Sequence, residues 1–286
     1  MKLLLTSLGV LFFAAMVFGS LRMWGLGQKY QPYNHPFLTD VGSSNPALSV
    51  KIPSSESEAQ AAISLAPQVI LFLDVRMSKD EILFVQEKGL LEPLLTVEKM
   101  GPERYQGDRP YFYPFNTLKT YFPDLIEVRT FLQRFPQQKF ILNIQDNAQN
   151  IHEVVMKLLK EANAAARVLI QSDIDVIIKS IREEEPTWCY GSSLPEITRI
   201  LSLQSVGLEM VPSIRADVWL TPLKFKKRLL FNEALGNEVR RRFKKVFLGP
   251  LSTSEEVFAA QRYNPDGFIF SGLSILEEFL KKKESL

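Results

Sequence analysis

An apolar run at residues 70–75 contains one acidic residue, Asp74, close to its end. A carboxylate at the end of a buried strand costs free energy unless it is paired with a cationic group or binds a metal ion. Asp74 therefore predicts an ion pair or a cation site, with Arg76 as the nearest base in the sequence. The alternative is an ordinary aspartate that caps the following turn, after which the chain returns as a second short strand before Gln86.

Polar side chains also follow the other predicted strands. If the strands are parallel, these side chains meet at one end of the sheet. A Ca²⁺ or Mg²⁺ site needs several oxygen ligands, and the predicted set is Asp74 and Glu87 with the amide oxygen of Gln145 or Asn147. The candidates for contact with a ligand are Arg76, Gln86, Gln145, Asn147, Ser172 and Arg215. The alternative is a ring of polar residues that caps helices and closes turns.

Eight short β-rich runs alternate with amphipathic helical stretches along the chain. The predicted strands are residues 47–52, 69–76, 139–145, 168–171, 187–190, 208–212, 245–248 and 267–270, with residues 36–41 as an alternative for the first. Eight strands with intervening helices favour a single α/β domain, a (β/α)₈ TIM barrel with its site at the carboxyl ends of the strands. A doubly wound sheet is the alternative, although the chain carries no glycine-rich phosphate loop.

The amino terminus has the features of a membrane-targeting segment. One lysine precedes an apolar run from Leu3 to Phe18. The run is close to the roughly 20 residues that span a bilayer, while the residues around Gly19 resemble a site for signal peptidase. We therefore predict a signal peptide or membrane anchor at residues 1–24, a polar linker rich in proline and glycine at 25–46, and the barrel domain at 47–286. The domain is expected at a membrane or in the cell envelope.

Composition excludes several classes of protein. The chain of 286 residues has 34 basic and 32 acidic residues, and its net charge of +2 does not indicate a partner that is a nucleic acid. Its histidines are His35 and His152, and its one cysteine is Cys189. The sequence therefore contains no zinc-binding pattern and no pair of cysteines for an internal disulfide.

Basic residues cluster in two neighbouring segments of the sequence. They are Lys224, Lys226, Lys227, Arg228, Arg240, Arg241, Arg242, Lys244 and Lys245. On a domain tethered by its amino terminus, such a patch is suited to an anionic lipid surface, where each charge contributes on the order of 1 kcal/mol. The alternative is a solvated helix face.

Several of these segments together resemble the glycerophosphodiester phosphodiesterase family. The stretch LDVRMSKD resembles the family's "ELDV" strand and the turn after it, and the stretch from Pro53 to Ala62 resembles its "PENT" helix start. The segments FPDLIEVRTFLQRFPQQKFILNIQ, RVLIQSDIDVI and NPDGFIFSG resemble three later family segments in the same order. The resemblance covers about residues 52–286. It implies a barrel that hydrolyses glycerophosphodiesters with a divalent cation and paired histidines.

The chain departs from the family at most of the catalytic positions. The first family histidine would lie ahead of Pro53, where no histidine is in register, and Glu87 stands where the second is expected. Of the metal-binding carboxylates only Asp74 remains. The other replacements are Phe72 and Gln145 for two glutamates and Asn147 for a lysine.

These replacements bear on activity, because a single acid–base group contributes roughly 10²–10⁴-fold to a rate. We expect a diverged protein that recognises phosphodiester or glycerophospholipid-type ligands, with hydrolysis weak or lost. Two alternatives are a metal-dependent hydrolase with a site rebuilt from Asp74, Glu87 and Asp146, and a membrane-tethered binding or scaffold protein. If no cation binds, Asp74 is expected to pair with Arg76 or another base.

Overall fold

The computed structural model describes residues 2–42, 44–87, 89, 91–225 and 228–284. The helices are α1 (Lys2–Gly27), α2 (Glu56–Leu65), α3 (Val97–Met100), α4 (Phe115–Tyr121), α5 (Val128–Arg134), α6 (Ile151–Glu161), α7 (Asp175–Glu184), α8 (Leu194–Gln204), α9 (Glu233–Arg241), α10 (Ser254–Gln261) and α11 (Leu273–Glu284). The strands are β1 (Ala47–Lys51), β2 (Ile70–Met77), β3 (Leu83–Val85), β4 (Ile126–Glu127), β5 (Phe140–Ile144), β6 (Val168–Ser172), β7 (Cys189–Tyr190), β8 (Val218–Thr221), β9 (Lys224–Phe225), β10 (Arg228–Leu229), β11 (Lys245–Leu251) and β12 (Gly267–Phe270).

Eight parallel strands form the barrel, in the order β1, β2, β5, β6, β7, β8, β11 and β12. β12 pairs with β1, and a parallel bridge between Gly191 and Val218 joins β7 to β8. Helices follow the strands and cover the outer face of the sheet. The predicted (β/α)₈ barrel is therefore confirmed, and the doubly wound alternative is wrong.

The strand sequences have the apolar character that burial on both faces requires. All eight residues of β2 are buried, because one face lines the barrel interior while the other packs against helices. Ile70 and Phe72 lie in the interior with Ile141, Leu169 and Phe247. We call the carboxyl ends of the eight strands the mouth of the barrel and their amino ends the base.

The base is closed by a segment that the sequence predicted as a linker. Phe37 is fully buried in the barrel interior, in a short 3₁₀ turn at Pro36–Leu38. Lys139 donates hydrogen bonds from Nζ to the carbonyls of Phe37 (2.9 Å) and Thr39 (3.2 Å). The segment is thus held against the barrel. The alternative first strand at residues 36–41 is wrong, since a turn occupies its beginning.

The predicted sixth strand at residues 208–212 is also wrong, because the chain there forms turns. The sixth barrel strand is β8. Met210 is buried against Gly25 outside the barrel, and the carbonyl of Pro212 accepts a hydrogen bond from Arg242. A short apolar run is equally compatible with a strand and with a buried loop. The consequence is that Arg215, predicted to follow the sixth strand, precedes it on the base side.

A large insertion separates β2 from β5. β3 pairs antiparallel with the end of β2, with Val75 opposite Val85, as the sequence predicted for the return strand. The insertion continues through α3, α4 and β4 and has its own apolar cluster around Phe84 and Phe115. It therefore forms a packed wall beside the mouth.

Candidate functional site

An ion pair between Lys51 and Asp74 lies at the mouth of the barrel. Lys51 ends β1, and its Nζ is 2.9 Å from Oδ2 of Asp74 and 3.3 Å from Oε1 of Glu87. The side chains of Lys51 and Asp74 are only 21% and 5% exposed, whereas that of Glu87 is 51% exposed. Burial opposes the charge on Lys51, but Asp74 and Glu87 outweigh that effect and raise the pKa of the lysine.

The second oxygen of Asp74 accepts hydrogen bonds from two amides. Asn143 Nδ2 is 2.7 Å from Oδ1, and Gln145 Nε2 is 3.1 Å from the same atom. The strand register brings these groups together, because Asp74 is paired directly with Asn143 across β2 and β5. Asp74 is therefore surrounded by one cation and two neutral donors, which together provide hydrogen-bond partners for both of its oxygens.

Arg76 forms a second ionic network nearby. Its guanidinium is almost completely buried, contacts Glu92 of the insertion, and lies 3.1 Å from Asp146 Oδ1. Asp146 also accepts a hydrogen bond from the backbone N–H of Met77 at 3.2 Å. Burial raises the pKa of the Asp146 carboxyl, although Arg76 and the backbone donor act in the opposite direction. This network ties the insertion to the ends of β2 and β5.

Three oxygens on barrel strands have no hydrogen-bond partner among the described residues. They are Ser49 Oγ, Asn143 Oδ1 and Gln171 Oε1. Gln171 is anchored through Nε2, which donates to the carbonyl of Ser192 at 2.8 Å. A Cβ at Gly191 would lie 2.1 Å from Gln171 Oε1, so the glycine leaves room for this amide. Such acceptors are normally satisfied by water or by a ligand that carries donors.

The barrel is similar to solved structures of phosphodiesterases. They include the glycerophosphoryl diester phosphodiesterase domain of a Mycobacterium tuberculosis protein, with 13% identity over 79% of this chain and 96% of that chain and a TM-score of 0.59. A glycerophosphodiester phosphodiesterase from Parabacteroides distasonis has 12% identity over 84% and 99% of the two chains and a TM-score of 0.56. A phosphodiesterase from Oleispira antarctica, solved with its product sn-glycerol-3-phosphate, has 13% identity over 79% and 92% and a TM-score of 0.53.

The chain has the glycerophosphodiester phosphodiesterase fold. No family model and no curated protein matches its sequence.

Within the glycerophosphodiester phosphodiesterase fold, three of the residues predicted to bind a metal ion or a ligand lie beside Asp74. Glu87 contacts Lys51, and Gln145 contacts Asp74, so the structure brings Asp74, Glu87 and Gln145 together. The backbone N–H of Gln86 bonds to the carbonyl of Asp74 at 2.8 Å, which holds β3 beside the site.

The other predicted contacts with a ligand have different positions. Asn147 is exposed on the loop after β5. Ser172 is fully buried, donating to the carbonyl of Ile144 and accepting from the N–H of Ile174, so it closes a turn. The backbone N–H of Arg215 bonds to Glu196 at 2.5 Å, on the chain that leads into β8. The prediction that Arg215 follows a strand is therefore wrong.

Lys51 is a residue of this ionic site that the sequence analysis did not predict. It ends β1, two residues ahead of Pro53. Its signal in the sequence is the alternation of small or polar residues in β1, since Ala47, Ser49 and Lys51 share the interior face of the strand.

The described members of the nine basic residues lie in two groups. Lys224 is exposed in the β9–β10 hairpin that follows β8 at the mouth, and Arg228 belongs to the same hairpin. Lys226 and Lys227 lie outside the described residues. The second group lies at the end of α9 and the start of β11, on the base side, and comprises Arg240, Arg241, Arg242, Lys244 and Lys245.

Members of this second group are engaged in contacts within the protein. Arg241 and Arg242 both pair with Glu238. The Nζ atom of Lys244 lies 3.1 Å from Oδ1 of Asp217, and that of Lys245 lies 3.4 Å from Oδ1 of Asp266. These four side chains are paired within the protein, and their contact with a lipid surface stays a prediction.

The residues at the mouth do not fit a Ca²⁺ or Mg²⁺ site. Among the described residues there is no group of three or more His, Cys, Asp or Glu side chains arranged to hold a metal ion. The ammonium of Lys51 lies within 3.3 Å of both predicted carboxylate ligands. A divalent cation at Asp74 would have to displace this charge, and the amides of Asn143 and Gln145 would have to turn their oxygens toward it.

Proposed function

We propose that this protein is a membrane-tethered binding protein with a glycerophosphodiester phosphodiesterase fold, which recognises a phosphodiester-type ligand at the barrel mouth without metal-dependent hydrolysis. The observation that carries the proposal is the ion pair of Lys51 with Asp74. The ammonium of Lys51 supplies a positive charge beside Asp74, which by the resemblance is the one carboxylate of the family's metal site that this chain keeps.

Loss of hydrolysis follows from the groups that the reaction requires. The hydrolysis mechanism that the family resemblance implies uses a cation to neutralise phosphate charge and a histidine pair to transfer protons. His35 lies at the base, where its Nδ1 accepts a hydrogen bond from the N–H of Phe37. His152 lies in the first turn of α6, and its Nε2 is 3.9 Å from Oε1 of the neighbouring Glu153. Neither histidine has a contact with Lys51 or Asp74 among the hydrogen bonds and ion pairs of the described residues.

Lys51 has the chemistry to bind an anionic oxygen. Its ammonium carries three donors, of which Asp74 takes one in a buried contact. The contact with Glu87 is weaker, because that carboxylate is half exposed and 3.3 Å away. A phosphate oxygen can replace Glu87 at Lys51. The unpartnered oxygens of Asn143 and Gln171 are buried, and they become acceptors for the hydroxyls of a glycerol moiety when the mouth opens to admit it.

The tether is supported by the length and composition of α1. Residues Ser7–Gly27 form a helix that is long and apolar enough to cross a membrane, and it is almost entirely exposed. We propose that this helix anchors the barrel to the bilayer.

The proposal is tested with the full-length chain in a mild detergent. Glycerophosphocholine turnover is measured with Ca²⁺, Mg²⁺ or a chelator, and binding of sn-glycerol 3-phosphate and glycerophosphocholine is measured by calorimetry. We expect no metal-dependent turnover, and binding that is unaffected by chelator and lost in Lys51→Ala. The matched control is Lys179→Ala, an exposed lysine that pairs with Glu183 on α7, which should bind as the wild type does.

Two results would overturn the proposal. Metal-dependent release of glycerol 3-phosphate that is abolished in Asp74→Ala would establish a rebuilt hydrolase. Absence of binding of either compound to a folded chain would leave the scaffold alternative as the working function.

A further inference from the structure

The last turn of α1 is fixed to the base of the barrel. Gly25 is buried against Met210, and a Cβ at this position would lie 2.6 Å from Met210 Cγ and 2.9 Å from its carbonyl oxygen. Arg241 donates hydrogen bonds to the carbonyls of Gly25 (3.1 Å), Leu26 (3.3 Å) and Gln28 (3.3 Å). The carbonyls of Gly25 and Leu26 belong to the last turn of α1, and that of Gln28 follows it. A guanidinium at the carboxyl end of a helix donates hydrogen bonds to free carbonyls and its positive charge interacts favourably with the helix dipole.

The chain after α1 continues along the base with similar contacts. The guanidinium groups of Arg241 and Arg242 both lie 5.2 Å from the ring centre of Tyr30. The hydroxyl oxygen of Tyr33 lies within hydrogen-bond distance of the carbonyls of Thr187 (2.6 Å) and Trp188 (3.0 Å), just before β7, and its single proton is donated to one of them or shared between them. The connection from helix to barrel is therefore held against the base at Tyr30 and Tyr33.

This packing limits where a bilayer can lie. The helical apolar segment ends at Gly27, only two residues beyond the contact of Gly25 with Met210, which corresponds to about 3 Å of helix. The mouth lies at the other end of strands such as β2, whose eight residues span about 20 Å along the tilted barrel. If α1 crosses the membrane, the base lies at the membrane surface and the mouth cannot contact the same surface.

The base around α1 also has residues suited to the membrane interface. Trp24 and Leu26 are exposed at the end of α1. Val206 follows α8 and Phe243 follows α9 on the base side, and Phe243 is 52% exposed in a turn with a φ of 57°. Lys29 is exposed next to them. Aromatic and aliphatic side chains beside lysine are typical of protein surfaces that lie at the boundary of lipid and water.

We infer that the base of the barrel is its membrane-facing surface and that the mouth opens away from that bilayer into water. The occupant of the base is the lipid surface that α1 enters. The inference rests on the membrane tether of the proposed function and deepens it. The mouth then takes a water-soluble phosphodiester, such as a deacylated glycerophosphodiester, and headgroups of the bilayer that holds α1 are out of its reach.

The test is energy transfer from the full-length chain to labelled lipid. Two exposed serines are replaced singly by cysteine for attachment of a donor dye: Ser205, next to Val206 on the base, and Ser252, directly after β11 at the mouth. The native Cys189 is buried and remains in place, and the parent chain without a new cysteine measures any labelling of it. The chain is reconstituted into phosphatidylcholine and phosphatidylglycerol vesicles that contain an acceptor-labelled lipid.

We expect transfer from the Ser205→Cys label to exceed that from the Ser252→Cys label several-fold. The Arg241→Ala variant should reduce the difference, because it removes the hydrogen bonds to the end of α1 and frees the barrel to reorient. Arg262→Ala is the control, since this arginine lies over the exposed ring of Phe258 on α10 and should leave the difference unchanged.

Each remaining result refutes a distinct part of the account. Equal transfer from both labels, or stronger transfer from Ser252→Cys, in chains that float with the vesicles would overturn the orientation and leave the tether intact. Failure of the chain to float with the vesicles would overturn the tether, and with it the orientation. Ligand binding in detergent is independent of both results.

Discussion

Replacement of Lys51 by methionine tests whether this lysine holds Asp74 as a buried ion pair. The variant keeps the aliphatic stem and removes the charge. At the observed separation of 2.9 Å and an effective dielectric constant of about 20, the gross attraction is about 6 kcal/mol, and desolvation of both groups offsets part of it. Removal of one partner of a buried pair typically costs about 3–5 kcal/mol.

The expected cost for Lys51→Met is at the lower end of that range. The side chain of Lys51 is 21% exposed, and Asp74 retains the hydrogen bonds from Asn143 and Gln145. We therefore expect a loss of about 3 kcal/mol for Lys51→Met and about 2 kcal/mol for Asp74→Asn. The double variant should lose about 3 kcal/mol, which gives a coupling energy of about 2 kcal/mol.

The assay is urea unfolding of the full-length chain in detergent, followed by tryptophan fluorescence. Trp219 is fully buried in the barrel and Trp188 nearly so, and both should report its unfolding. The midpoint should move while the dependence of the free energy of unfolding on urea stays constant. Lys179→Met removes an exposed lysine and should cost less than about 0.5 kcal/mol. A coupling energy near zero between Lys51 and Asp74 would show that the two groups do not stabilise each other as a buried ion pair.

Three further predictions concern other groups of the barrel. Burial raises the pKa of Asp146, so the folded chain holds this proton more tightly than the unfolded chain does. The stability that this proton contributes is lost as the pH rises through the raised pKa. On acidification from about pH 7 to about pH 4, the wild type should therefore gain stability relative to Asp146→Asn in urea titrations. Gly191→Ala should cost about 1–3 kcal/mol and weaken ligand binding measured by calorimetry, because its Cβ displaces the amide of Gln171. Cys189, whose thiol is buried with a pKa well above its usual value, should react with a thiol reagent only at urea concentrations that unfold the chain.

Controls for these three predictions come from the same chain. Gly272→Ala should be nearly neutral, because no atom lies within 4 Å of the added Cβ. A midpoint for Gly191→Ala equal to that of Gly272→Ala would contradict the packing argument. A constant difference between wild type and Asp146→Asn at all pH values would contradict the raised pKa. Rapid labelling of Cys189 in the native chain would show that its surroundings open easily.

Much of the barrel follows from local patterns in the sequence. The apolar runs at β2, β5 and β12 are each bounded by polar turns, and strands buried on both faces have this character. The run at residues 208–212 has similar apolar content, yet its burial comes from the end of α1 and from Arg242. Sequence alone cannot separate these cases, since they differ only in which distant segment covers the run.

The site was predictable in part. The sequence identified Asp74 as a buried carboxylate in need of a partner, and it named Arg76 or another base. Arg76 is two residues along the same strand and pairs with Asp146 and Glu92. The partner of Asp74 is Lys51 on the adjacent strand β1, and that contact depends on the register between the strands. The register is a tertiary property that no local pattern in β1 specifies.

The most direct test of the central claim is a crystal structure of the full-length chain grown with Mn²⁺ and glycerophosphocholine, with anomalous data collected for the metal. We expect the ammonium of Lys51 between Asp74 and the phosphate group, with no anomalous peak at the mouth. An anomalous peak coordinated by Asp74 and Gln145, with Lys51 displaced, would contradict it.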